Sequence, residues 1–347
     1  MAKRKNNNKK NRKNRLFLLI LLLSLSILLL VMSTYAWFTS NTTVAVESLD
    51  VNVTTVNGLQ ISADAVNWKA KVLKNDISGA TSNYAAAKNF LPDTLDNVST
   101  VGAVSNGFMD MYHGTVTPND DGSYALYTTK VDEAGRTGSC TGDGECSGIY
   151  FIAFDLFFKV DADTNVVLVG LNSGVTPWSS EADTGIKNTV RVAFVKEGHV
   201  GVGATAAEAQ ALKQTLTAGS NDVIIWEPNY DTHTAAGVAN ASSVYGITTS
   251  QSGGDGLAYK GVKAPFDRTV GVKINTTGDA AFSQYFANVT PTIRTAYGET
   301  NDQTFASLEA GVTKYRVYWW VEGQDVDTEN GATGKHMTLN LSFAKSN

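Results

Sequence analysis

The sequence predicts a mainly β chain: an antiparallel β-sandwich or jelly roll with a few short helices, preceded by one N-terminal transmembrane or signal helix. Three observations predict it. Apolar residues recur with period two over most of the chain, as in strands with one buried face. Helical patterns are few and do not alternate with strands, which argues against βαβ units and for a sandwich. One long apolar run stands near the start, between a basic segment and a polar chain.

The first fifteen residues hold eight Lys or Arg, no acid and many Asn, a composition too polar to form a core, so residues 1–15 read as a disordered basic tail. Leu16 to Met32 follows, polar only at Ser24 and Ser26, whose hydroxyls can bond back to helix carbonyls. Counted on to Phe38, the stretch has twenty-three residues, against about 20 needed to cross a bilayer core. The basic flank places residues 1–15 in the cytoplasm and exports residues 39–347 as an extracellular β-sandwich domain. Two readings of the junction stand side by side. Tyr35, Trp37 and Phe38 form an interfacial belt for a retained anchor at residues 16–38, or Thr34 and Ala36 mark a signal cleaved between Ala36 and Trp37.

The whole chain carries a net charge of -5, and without the tail's basic residues the remainder is strongly acidic. That argues against nucleic acid and anionic head groups as partners of the exported part and leaves the membrane as partner of residues 16–38. No Pro-rich or Gly/Ser-rich linker divides the exported part, and no fixed-period repeat runs through it.

Strands are expected in order. Val44 and Val46 alternate, then Leu49, Val51 and Val53 alternate in the opposite phase, which requires a bulge near Glu47 and Ser48. Gly148 to Val160, "GIYFIAFDLFFKV", is apolar at nearly every position and reads as a central strand. Runs from Asn165, Thr189, Asp222, Arg268, Lys314 and His336 complete the series, each bounded by turn residues. Helices are expected at Thr205 to Leu216, where Thr205 and Glu208 make a capping box, at Ser82 to Leu91, and at Asn301 to Gly311.

Cys140 and Cys146 lie in a Gly-rich loop before the strongest strand. In an exported chain such a close pair reads as a disulfide pinning a loop tip, not as a metal or redox site. His113, His199, His233 and His336 occur singly, with no H-E-x-x-H, and no nucleophile elbow, P-loop or dinucleotide fingerprint is present. No catalytic residue, metal or cofactor is therefore assigned, and no enzymatic role is expected. Two acidic loops alternate oxygen ligands, Asp161, Asp163 and Asn165 in one and Asp325, Asp327 and Glu329 in the other. Both depart from the calcium-loop pattern and read as solvated turn carboxylates, as does Pro118 to Tyr124. Near the end, Tyr315, Val317, Trp319 and Val321 fall on one strand face, expected to be core. Arg316, Tyr318, Trp320 and Glu322 fall on the other, expected to be covered by a loop, with an exposed recognition strip as the alternative.

The basic start, the Leu-rich span, "TYAWFTSN" and the strand from Val44 to Val53 together resemble the opening of exported Gram-positive surface proteins, among them camelysin/TasA-type biofilm-matrix fibre subunits. The likeness covers residues 1 to about 60. It implies cleavage near Ala36 and Trp37, a jelly-roll domain, and Thr39 to Val53 as a strand available for donation to a neighbouring copy. The functional expectation is a cell-surface or secreted structural or adhesive protein. The alternatives are a carbohydrate- or ligand-binding module, which needs Trp226, Tyr318 or Trp320 exposed in a groove, and a metal-dependent hydrolase, which needs three dispersed His and acidic residues to converge. The sequence has no sortase-type motif after its last strand, so attachment is expected through the N-terminal span or by non-covalent association.

Overall fold

The structure, a computed structural model, describes residues 43–53, 58–105, 107–118, 124–131, 149–177, 184–213, 222–239, 259–265, 267–270, 282–328 and 335–346. The apolar run, Ala36 and Trp37, Cys140 and Cys146, and Glu329 lie outside these residues. Among the described residues no helix is long and apolar enough to cross a membrane.

The described chain is mainly β. It begins with β1 (Val44–Val53), β2 (Gln60–Ser62), β3 (Lys71–Leu73), helix α1 (Lys74–Gly79) and β4 (Thr94–Leu95). Then come β5 (Val104–Ser105), β6 (Phe108–Met109), β7 (Tyr112–Pro118), β8 (Tyr124–Lys130), β9 (Phe151–Val160), β10 (Thr164–Leu168) and β11 (Gly174–Pro177). β12 (Val190–Gly201), α2 (Ala206–Gln210), β13 (Val223–Pro228), β14 (Tyr259–Val262), β15 (Asp267–Val270), α3 (Phe282–Tyr285) and β16 (Phe286–Val289) follow. The last strands are β17 (Ile293–Thr295), β18 (Gln303–Leu308), β19 (Gly311–Val321) and β20 (His336–Lys345).

Two sheets are stacked face to face. The first runs β18-β10-β20-β1-β3, with β11 also on β20 and β4 on β1, and the second runs β17-β13-β12-β19-β9-β2. Most pairs are antiparallel, but β1 lies parallel to β20 and β13 parallel to β17. Between the sheets, Phe158 of the second sheet meets Phe343 of the first edge-on, with centroids 5.0 Å apart, and Phe305 lies 4.9 Å from both Phe194 and Phe343. The T-shaped contacts, Phe158–Phe343 and Phe194–Phe305, set positive ring edges against negative faces.

β9 and β19 are buried at nearly every position, with both faces covered, and are largely apolar in consequence. Their inner side chains, among them Phe154, Val317 and Trp319, join the core between the sheets. Their outer side chains, Phe151, Ala153, Tyr318 and Trp320, pack under Val98, Val104, Met109, Met111 and Val289. The covered reading of the outer face of β19 is the one observed: Tyr318 and Trp320 are buried, as is Trp226.

Bulges account for one success and one error. Glu47 stands opposite no residue of β20 where the register shifts between Val46 and Ser48, so Val46 and Leu49 both reach the core, as the phase change requires. The segment expected to be a helix at Asn301 to Gly311 is instead strand β18. There the register against β10 shifts between Val166 and Val167, and the bulge buries both Phe305 and Leu308. Two buried residues three apart imitate a helical face.

The helix expected at Ser82 to Leu91 is replaced by a short 3-10 turn, Ala80–Ser82, with the true helix α1 just before it. Phe90 pairs its backbone N–H and C=O with Ala153 of β9, bonds a helix would forfeit. The Thr205–Glu208 capping box forms, with the Thr205 N–H donating to Glu208 Oε2 at 2.7 Å, but α2 ends at Gln210.

A candidate functional site of buried charges

Charged residues stand inside strands that otherwise read as core, and the outer face of the second sheet gathers them into two clusters. The first is centred on Lys314 of β19, flanked by β9 on one side and β12 on the other. Lys314 Nζ lies 2.6 Å from Glu197 Oε2 and 3.2 Å from Asp155 Oδ2, and donates to the Leu212 carbonyl at 2.8 Å and the Tyr84 hydroxyl at 3.0 Å. The Tyr84 hydroxyl donates to Asp155 Oδ2 at 2.8 Å, and Arg316 NH1 to Asp155 Oδ1 at 3.0 Å. Arg316 also donates to the Lys88 carbonyl and the Tyr318 hydroxyl.

Local geometry explains this convergence. A bulge in β12 sets Glu197 and Gly198 together beside Lys314. Gly198 has φ +142°, and a Cβ there would stand 2.9 Å from Leu212 Cδ2, so glycine lets the segment after α2 bring its carbonyl onto the ammonium. Burial works against the charged lysine, but Asp155 and Glu197 outweigh it and hold its pKa above the ordinary value. Burial pushes the Glu197 carboxyl up, against the opposing pull of Lys314.

The second cluster surrounds Arg191 of β12. Its NH2 bonds Glu227 and lies 2.7 Å from Asp325 Oδ2, while its NH1 donates to the carbonyls of Asn188 and Val190. Arg294 reaches the other oxygen of Glu227 at 3.3 Å. Asp327 accepts from Asn188 Nδ2, from the Thr234 N–H and from the Thr234 hydroxyl, and faces His233 Nδ1 at 3.2 Å. Burial opposes a charged His233, yet the Asp327 and Asp325 carboxylates hold its pKa above the usual value. At the end of β19, Glu322 accepts from Trp320 Nε1 at 3.0 Å and from the Gln324 N–H at 3.1 Å. Burial pushes the Glu322 carboxyl up to about 7.

Sequence reasoning placed Asp325 and Asp327 in solvated turns, and the structure corrects this: they are 6% and 0% exposed and lock the turn after β19 onto β12 and the segment at His233. Asp161 and Asp163 do lie exposed in a turn, where Asp163 Oδ1 accepts the Ala310 N–H and Asn165 Oδ1 accepts the Ser307 hydroxyl. Among the described residues, only His233 of the four histidines joins a cluster of carboxylates. His113 bonds the Asn97 carbonyl, His199 bonds Thr313, and His336 pairs with Glu47. The ligand atoms of His233, Asp325 and Asp327 fall within 4.8 Å of one another. All four carboxylate oxygens there already accept protein donors, and the Arg191 guanidinium neutralises Asp325. The residues present fit an internal lock better than a metal centre.

The first cluster was not foreseen. Its signal was nonetheless present: Asp155, Lys314 and Arg316 interrupt apolar strand runs, as Arg191 does for the second cluster, and a buried charge requires a buried partner. Comparison of the chain with known protein families, curated proteins and solved structures finds no match.

Proposed function

We propose that the chain is a cell-surface or secreted structural or adhesive protein of a Gram-positive envelope, of the kind that builds a matrix or fibre, with a jelly-roll-type sandwich as its displayed part. The observation that supports this reading is the position of β1. Six residues after Phe38 the chain enters the interior of a sheet, paired with β20 from Ala45 opposite His336 to Val53 opposite Phe343. β4 and β3 pair with its other edge. A segment leaving a membrane anchor or a cleavage site thereby transmits load directly into the sheet. Donation of Thr39 to Val53 to a neighbour would exchange the same β1–β20 register between copies, since β1 supplies Val44, Leu49 and Val51 to the core.

The rival readings have less support. Trp226, Tyr318 and Trp320, the platform a sugar-binding module needs, are buried, and the oxygens of the one His and Asp convergence among the described residues already accept protein donors. Intact mass and N-terminal sequencing of the native protein in membrane, wall and medium fractions test the proposal. It expects a full-length chain in the membrane, or a chain starting near Trp37 in the wall or medium. A full-length chain found only in the soluble cytoplasmic fraction would refute it.

A further inference from the structure

We propose that Lys314 and Asp155 are joined by an amide bond between their side chains, formed inside the folded domain with Glu197 as the proton carrier. The three side chains come from adjacent strands and are 3%, 2% and 7% exposed, respectively. The nucleophilic nitrogen lies 3.2 Å from an oxygen of the carboxyl group it would attack and 2.6 Å from the carboxylate that would take its proton. Rings of Tyr84 and Phe157 stand 5.5 Å and 5.9 Å from the ammonium. Reacting groups fixed at this range gain the large effective concentration of an intramolecular reaction.

The step balances. The Lys314 ammonium gives one proton to Glu197, and the free amine attacks Cγ of Asp155, whose developing oxyanion on Oδ1 is met by Arg316 NH1 at 3.0 Å. The tetrahedral carbon then expels Oδ2. Glu197 delivers the first proton to that oxygen and relays a second from the nitrogen, so water leaves and Glu197 ends as the carboxylate it was. One C–N bond forms, one C–O bond breaks, and nothing is oxidised or reduced.

Charge accounting favours the product. Lys314, Arg316, Asp155 and Glu197 form a neutral quartet, and condensation removes one charge of each sign, leaving Arg316 with Glu197. The desolvation cost of a buried ion pair is relieved without stranding a charge. The covalent tie would lock β9 to β19 beside the sheet's centre, whether or not the chain works at a cell surface.

Tandem mass spectrometry of the full-length chain, digested after denaturation, tests the proposal. The expected result is a branched peptide carrying Lys314 and Asp155, lighter than the two linear peptides together by one water. Asp155→Asn should give the same branched peptide with ammonia as the leaving group, and Glu197→Gln should give only linear peptides. Complete recovery of Lys314 and Asp155 in linear peptides from the folded wild-type chain would overturn the bond, with no variant needed. Equal branching in folded Glu197→Gln would overturn the role of Glu197.

Discussion

Glu322→Gln isolates a single buried titration. The Glu322 carboxyl is fully buried and is pushed by burial from an ordinary 4.5 to about 7. A carboxyl raised in the folded state holds a proton that the unfolded chain releases between those two values. Its contribution is therefore fully present below 4.5 and is lost as pH rises to about 7. With roughly 1.4 kcal/mol per pH unit, the loss amounts to about 3 kcal/mol. Glutamine is close to the carboxyl in shape and has nothing to titrate; its NH2 cannot accept either the Trp320 Nε1 or the Gln324 N–H bond, a cost that does not change with pH. Urea unfolding of wild type and variant at intervals from pH 5 to pH 8 reads the effect. The variant should gain about 2.5 kcal/mol relative to wild type across that range. The gap at one pH also reflects imperfect shape matching, so the change in gap is the diagnostic quantity, and His233 titrates in both chains and cancels. A gap that stays constant with pH would refute the reasoning.

Two further perturbations probe the fold. Phe343→Ala empties the ring cluster where Phe158 and Phe305 meet across the sheets and should cost about 3–5 kcal/mol in urea unfolding; a loss below about 1 kcal/mol would mean that the sheets do not pack there. Arg191→Leu leaves Asp325 and Glu227 buried beside each other and should cost about 3–5 kcal/mol. Adding Asp325→Asn should restore part of that loss, whereas strict additivity of the two changes would show that the pair is uncoupled.

The strands were legible because burial writes itself locally. β9 and β19 are covered on both faces and read as apolar runs broken only at a few positions such as Asp155, Lys314 and Arg316, while β1 announces its bulge through the phase change between Val46 and Leu49. The same device misled at β18, where a bulge spaces Phe305 and Leu308 like one face of a helix. At residues 82–91 good helix formers yielded to the backbone bridge between Phe90 and Ala153, a partner that local propensity does not contain. The parallel seating of β1 against β20 joins the two ends of the described chain, and local pattern carries no information about that pairing.

The buried charges divide in the same way. By itself the sequence determined a basic, apolar start, a strand-rich remainder and charges embedded in apolar strands, because composition and periodicity are properties of neighbouring residues. Only the tertiary structure decided which charge meets which. Asp155, Glu197 and Lys314 are far apart along the chain and become neighbours through the register of β9, β12 and β19. Asp325 and Asp327 changed from expected surface carboxylates to buried locks for a related reason. Their turn folds back onto Arg191 and Thr234, and the exposure of a turn depends on what the rest of the chain lays over it.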